Sequence, residues 1–193
     1  AAAGTLYRQD TGALIITGNG GITRPTRMTV GGYDAIVLQN AANLTGDHPL
    51  VATNSITVDA GCTVSATSAS TPLELNATTI DFSGTLSGGD VSTMSAGTLT
   101  LTGTAATNCS QPLCTVGLYA TGLLTLDGAV QGATVDIRAG SGSISGTVSA
   151  SGRGFAANQG PGAGANCGSN TGASGAGHAG RGAVGRAIAL AGQ

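Results

Sequence analysis

Thr79-Ile80-Asp81-Phe82-Ser83-Gly84-Thr85, Thr98-Leu99-Thr100-Leu101-Thr102-Gly103-Thr104 and Leu123-Leu124-Thr125-Leu126-Asp127-Gly128-Ala129 are three versions of one heptapeptide. Each carries two apolar residues two positions apart, a small or polar residue between them, and a glycine soon after. Alternation with a period of two marks a strand that buries one face. With Ile80, Leu99, Leu124 and Ile144 as anchors, successive copies lie 19, 25 and 20 residues apart. A period near 20 with one apolar strand and one glycine turn reads as a β-solenoid. The predicted fold class is all-β: a right-handed parallel β-helix with about 20 residues per coil and a glycine-rich extended layer. Such a rod tiles and displays; in itself it implies no chemistry.

Composition agrees with a thin core. Gly (34), Ala (31), Thr (27) and Ser (16) make up more than half of the 193 residues, and aromatics are only 3%. Large aromatic side chains bury roughly 150–250 Å² each and dominate ordinary cores; stacked coils need less, because each is covered by its neighbours. Disorder is the competing reading of so much Gly, Ser and Ala. A mean hydropathy of +0.23 and only 8% charged residues oppose it for residues 1–150, and it stays open for 153–186. The formal charge of −2 comes from scattered single charges, with no Lys. That excludes a basic patch for nucleic acid and a polybasic membrane tag, and no apolar run approaches the ~20 residues of a membrane-spanning helix. The chain starts at Ala1 with no visible signal peptide, which reads as a mature or excised segment.

Four cysteines, Cys62, Cys109, Cys114 and Cys167, allow three pairings. Cys109 and Cys114 bracket a tight turn containing Pro112 and suit a local staple, which leaves Cys62 and Cys167 for a long-range bridge. Disulfides are expected ahead of free thiols. Zinc is disfavoured, because His48 and His178 lie far from the cysteine spacings. Sequons at Asn43-Leu44-Thr45, Asn76-Ala77-Thr78 and Asn108-Cys109-Ser110 agree with an oxidising, secreted setting. Glycans need surface turns, so Asn43 and Asn76 are the favoured N-glycosylation sites, and a disulfide at Cys109 would hinder Asn108.

Three stretches are distinguished. Residues 1–50 hold N-terminal strands at Thr5–Arg8, Ala13–Thr17 and Ala35–Leu38 that continue a solenoid. Residues 51–152 are the coils proper, with further strands at Ser55–Val58, Thr63–Ala66, Thr134–Ile137 and Gly146–Ala150. Residues 153–193 are glycine-rich, either a flexible linker or a close-packed extended layer. The three are expected to form one continuous unit. The 25-residue interval is read as an ordinary coil with the stapled loop projecting from it.

The run from Ser151 to Gly182 contains Ser-Gly-Arg-Gly-Phe, Gln-Gly-Pro-Gly-Ala-Gly and Gly-Ala-Gly-His-Ala-Gly-Arg-Gly. It resembles the glycine-rich segments of large secreted β-helix proteins of eukaryotic microbes, algae and plants. In that family each glycine-rich segment leads into a strand-forming stretch, to which the N-terminal Ala3-Gly4-Thr5-Leu6-Tyr7 and Gly12–Ile16 are similar. The end at Ala187–Gln193 would therefore lead into another Ala1-like start. The resemblance implies one unit of a longer repetitive chain or of a head-to-tail fibre. Alanine replaces several of the family's glycines, and no catalytic residues carry over.

Chemistry finds little to build on. Asp81 and Asp127 fall in like repeats but two positions apart, and Asp136 and Arg138 share a strand face. A carboxylate pair for acid–base work is the functional reading; solvated outward positions and a surface ion pair are the favoured one. His178 among glycines reads as a structural hydrogen-bonding residue rather than a metal or proton-transfer group, and His48 before Pro49 as a turn residue. Thr98, Thr100, Thr102 and Thr104 form a row that suggests an ice-ordering face, but Asp81, Leu123 and Asp127 interrupt it in the neighbouring coils. No catalytic residue, metal or cofactor is predicted. The expected function is a structural extracellular module that stacks on copies of itself or on adjacent repeats. A glycan-binding, adhesin-like stalk is the alternative, and a polysaccharide-degrading enzyme ranks below it.

Overall fold

In the computed structural model, residues 4–8, 10–18, 26–27, 32–46, 48–68, 70–107 and 114–150 are described. They lie within one compact unit, Ala1–Arg153. Fifteen strands follow one another: β1 (Gly4–Arg8), β2 (Ala13–Thr17), β3 (Thr26–Arg27), β4 (Tyr33–Gln39), β5 (Asn43–Gly46), β6 (Leu50–Val58), β7 (Thr63–Ala66), β8 (Leu73–Phe82), β9 (Thr85–Gly88), β10 (Val91–Leu101), β11 (Thr104–Thr107), β12 (Thr115–Leu126), β13 (Ala129–Gln131), β14 (Thr134–Ile144) and β15 (Thr147–Ser149). The even-numbered strands stack in order behind β1 as one sheet, and the odd-numbered strands from β3 to β15 form the second. Each long strand therefore pairs with the long strand one coil away, which is a β-solenoid of about six turns.

All the stacked strands run parallel except at the start, where β1 pairs antiparallel with β2. A hairpin of β1 and β2 forms this end of the sheet among the described residues, with β1 outermost. Its turn is held by Thr11 N–H donating to the Arg8 carbonyl at 3.3 Å, and Gly12 takes φ 58°, the left-handed region glycine tolerates.

The long strands bend. In β8, Leu73, Leu75 and Ala77 are buried, Thr78 and Thr79 are both exposed, and burial resumes at Ile80 and Phe82. Two exposed residues in succession reset the period-two alternation, so one long strand supplies two faces of the coil. The short strand after it supplies a third, through Leu86 in β9. Registers give the core as columns: Leu14, Ile36, Ile56, Ile80, Leu99 and Leu124 in one, and Ile16, Leu38, Val58, Phe82, Leu101 and Leu126 beside it. Each inner member of a column is capped above and below by its counterpart, at the ~4.8 Å strand spacing, and that is how a chain with few aromatics buries its apolar side chains.

The register corrects the anchor set. Leu124 pairs with Gly142, and Ile144 with Leu126, so the last repeat is 18 residues long. The cause is that β14 reads Gly-Ser-Gly-Ser where the period calls for an apolar anchor. The long intervals also resolve. β12 carries one residue more than both neighbours between Ala120 and Leu123, a bulge, and the rest of its 25-residue spacing falls between β11 and β12. β6 has the same feature between Val51 and Ser55.

A glycine column lines the turn before the third face. An ideal Cβ on Gly103 would lie 2.0 Å from the Gly84 carbonyl oxygen, one on Gly128 1.9 Å from that of Gly103, and one on Gly146 2.0 Å from that of Gly128. These two-residue turns bring successive coils so close that only glycine fits. The longer turns of the earlier coils hold Ala42 and Cys62 at the start of the same face.

Candidate functional site

The strand portion ahead of the bend repeats a pentapeptide: Leu73-Glu74-Leu75-Asn76-Ala77, Ser92-Thr93-Met94-Ser95-Ala96, Val116-Gly117-Leu118-Tyr119-Ala120 and Val135-Asp136-Ile137-Arg138-Ala139. The first, third and fifth residues point inward. The fourth residues, Asn76, Ser95, Tyr119 and Arg138, form an outward ladder. Beside the terminal alanines the chain turns, and an added Cβ on Gly97 or Gly122 would lie 2.9 Å from the carbonyl oxygen of Thr78 or Gly97 below it. The small residues at this corner leave an open lateral groove of about 410 Å³. Its walls are Thr53, Asn76, Thr78, Ser95 and Thr121, and its floor is Ala52, Ala77, Ala96 and Gly97. Thr78 Oγ1 donates to the Thr53 carbonyl at 2.8 Å.

Where the ladder passes beyond the groove lining, it carries a polar cluster. Arg138 Nη2 lies 2.7 Å from Asp136 Oδ2, and its Nε donates to Oδ1 at 3.1 Å, a bidentate pair. Tyr119 Oη donates to Asp136 Oδ2 at 3.2 Å, and the guanidinium sits 5.4 Å from the Tyr119 ring centroid. Gly117 makes this possible: a Cβ there would meet the ring atoms of Tyr119 at 2.7–2.8 Å, so the ring lies back over bare backbone. The Arg138 hydrogen bonds, aided by that from Tyr119, hold the Asp136 carboxyl below the usual carboxylate range. Burial, and then the Asp136 hydrogen bond, push the Tyr119 phenol up. These charges satisfy one another, as a surface ion pair does.

The remaining candidates are dispersed. Asp81 sits in register with Thr57 and Thr100, whereas Asp127 comes after Leu126 at the turn and accepts a hydrogen bond from Ser145 Oγ. The structure thus keeps the two carboxylates in different rows. The threonine row from Thr98 to Thr104 is split, because the chain turns at Gly103: Thr100 belongs to the second face and Thr104 to the third. There Thr63, Thr85 and Thr104 stand in register, with Asn43 before them and Ala129 after, beside a second ladder in which Thr45 Oγ1 and Ser65 Oγ lie 3.2 Å apart. The hydroxyl array thus runs across coils rather than along one strand. His48 is exposed. Among the described residues, no three His, Cys, Asp or Glu side chains gather as a metal-holding group.

Cys62 is a free, fully buried thiol, which corrects the expected bridge between Cys62 and Cys167. Its side chain is sealed inside the coil stack. Burial, reinforced by nearby Asp59, raises its pKa above the ordinary thiol value. Cys114 is also buried. Asn43 and Asn76 lie in strands β5 and β8 rather than in the surface turns expected for sequons. Asn76 is exposed, whereas Asn43 has its Oδ1 buried without a partner. Asn108, Cys109, Cys167, His178 and the 153–193 segment lie outside the described residues.

The groove lining was missed in the sequence because the pentapeptide mixes Leu, Ser and Val at its first position, which hides the repeat. The recurrent alanine two residues after a buried Leu, Met or Ile was the available signal. No protein-family model, curated protein or solved structure matches this chain. The fold and the side chains on it are the ground for function.

Proposed function

We propose that the chain is a structural, non-catalytic module of the cell exterior that stacks end to end, on copies of itself or on adjacent repeats, into a fibre or surface appendage. One observation carries the reading. In the last described coil the inward positions are more exposed than those before them: Ile144 is 55% exposed and Val148 45%, while their counterparts one coil earlier, Leu126 and Val130, are 0% and 1% exposed. Val135 and Ile137 in the same coil are only partly buried. A strand edge with an apolar face beside it is a template for further pairing. At the other end β1 offers the complementary edge. A copy stacked in the same direction would set β14 antiparallel to β1, a pairing slightly more stable per residue than a parallel one.

The extracellular part of the reading rests on the exposed Asn76 sequon, on the spacing of Cys109 and Cys114 for a local disulfide, and on the resemblance of residues 151–182 to secreted glycine-rich β-helix proteins. Sedimentation of the full chain over a concentration series, with electron microscopy of native material, tests assembly. Concentration-dependent end-to-end polymers that Ile144→Lys and Val148→Lys abolish are expected. A monodisperse monomer at every concentration, with no fibre in native material, would sink the proposal. Non-reducing peptide mapping is expected to show Cys109 joined to Cys114.

A further inference from the structure

The corner groove has a chemistry of its own, independent of stacking at the ends. All its wall side chains are neutral and carry hydroxyl or amide groups: Thr53, Asn76, Thr78, Ser95 and Thr121. Among the described residues, Thr78 alone of the wall residues spends its hydroxyl hydrogen within the protein, leaving its oxygen lone pairs, and the side chains of Thr53, Asn76, Ser95 and Thr121 make no hydrogen bond. The floor residues are small: Ala52, Ala77 and Ala96, whose methyl groups turn into the core, and Gly97. The lining itself carries no charge; the nearest charged side chain is the exposed Glu74, two residues before Asn76 on the same strand face, while Asp136 and Arg138, further along the stack, are tied to one another in a bidentate pair. At about 410 Å³ the groove falls within the range of sites for small ligands.

A ligand matched to this lining carries many donors and acceptors and no negative charge. An anion would meet no cation in the lining and would face the Glu74 carboxylate, and a purely apolar ligand would strand the wall amide and hydroxyls. Because four successive coils, about 4.8 Å apart along the axis, each contribute a hydroxyl or amide to the walls (Thr53; Asn76 and Thr78; Ser95; Thr121), an extended chain of similar units lying parallel to the rod would meet a polar group at each coil. We propose that the corner groove is a carbohydrate seat that takes an uncharged oligosaccharide along the solenoid axis. Asn76 lies in its wall and belongs to the sequon Asn76-Ala77-Thr78, so the saccharide has two possible sources: a glycan attached to Asn76 itself, or a free chain.

The test has two arms. In the first, the full chain made in a host without N-glycosylation is titrated with neutral cello-, xylo- and manno-oligosaccharides and followed by amide NMR, with oligogalacturonate as the charged control. Shift changes confined to Asn76, Ser95, Ala96 and Thr121, weakened at least five-fold in Asn76→Ala/Ser95→Ala and absent with oligogalacturonate, are expected for a free chain. Both substituted positions point outward, so an unchanged melting temperature checks that the variant folds. In the second arm, native material is mapped for a glycan on Asn76, and contacts from its first sugars to Ser95 and Thr121 are sought by NMR; such contacts are expected for the attached source. Equal binding of oligogalacturonate, binding unaffected by the double substitution, or no contact at these residues in either arm would overturn the proposal.

Discussion

Replacing Gly103 by alanine places a methyl carbon 2.0 Å from the carbonyl oxygen of Gly84. An ordinary contact begins near 3.4 Å, so the two coils must part locally by roughly 1.4 Å. That same carbonyl accepts from Thr104 N–H at 2.9 Å, and the Gly103 carbonyl accepts from Ala129 N–H at 2.9 Å. Parting the coils weakens at least the first of these bonds, whose acceptor residue Gly84 is buried, at about 1–3 kcal/mol for a stranded buried group. Crowding in a packed interior adds about 1–3 kcal/mol. The sum, roughly 2–6 kcal/mol, is a large share of the ~5–15 kcal/mol that holds a domain folded. At about 2–4 °C per kcal/mol for a chain of this size, the melting temperature falls by roughly 4–24 °C. Gly32→Ala is the control, because a Cβ there meets nothing within 4 Å, and surface substitutions of that kind stay within about 0.5 kcal/mol. Thermal melts by far-ultraviolet circular dichroism compare the two variants with the parent. Stacked repeats unfold as coupled units rather than as one, so the melting midpoint is the quantity to compare. If Gly103→Ala melts with the parent, or Gly32→Ala falls as far, glycine is not what the close turn requires.

Three further outcomes are expected. Ser92 points into the core with its hydroxyl buried and unpartnered, in register with Leu73 and Val116; Ser92→Ala therefore raises stability by about 1 kcal/mol, and a lowered urea midpoint would refute this. Cys62 is sealed and its thiol pKa is raised by burial, so iodoacetamide should modify it slowly in the native protein and rapidly in guanidinium, as mass spectrometry of the Cys62 peptide reports; equal rates would show the site to be open. Asp136 is held below the ordinary carboxylate range, first by Arg138, so its contribution is present above the unfolded carboxylate pKa and is lost as pH falls through the lower folded value. Tyr119 is raised, so its share is present below the ordinary phenol value and is lost as pH climbs through the higher folded one. NMR titration of Asp136 should show Arg138→Ala returning its midpoint toward the ordinary range; no change on that substitution contradicts the pairing.

Alternation at Ile80 and Phe82, at Leu99 and Leu101, and at Leu124 and Leu126 was legible in the sequence, because burial of one strand face is a local, period-two property. So was the turn glycine at positions 84, 103 and 128, and with it the fold class and a coil of about 20 residues. The pairing of Asp136 with Arg138 was legible for the same reason, since two residues i and i+2 on a strand share a face. Which coil position each residue occupies was not. The partner of Leu124 is Gly142, and that pairing comes from a bulge in β12 and hydrogen bonds between coils, not from the identity of the residues.

The neighbours that matter here are about 18–25 residues away along the chain and one strand spacing away in space. By itself the sequence determined the strand portions at Ile80–Phe82, Leu99–Leu101 and Leu124–Leu126, their buried faces and the glycine turns; the pentapeptide halves of the long strands and the short strands β5, β9, β11 and β13 were not legible in it. Only the tertiary stack decided that Cys62 would be a sealed free thiol, that the threonine row would divide at Gly103, and that Thr53, Asn76, Ser95 and Thr121 would line one groove. Those outcomes depend on where each coil bends relative to the next, and a bend of this kind is set by contacts between coils that local propensity does not encode.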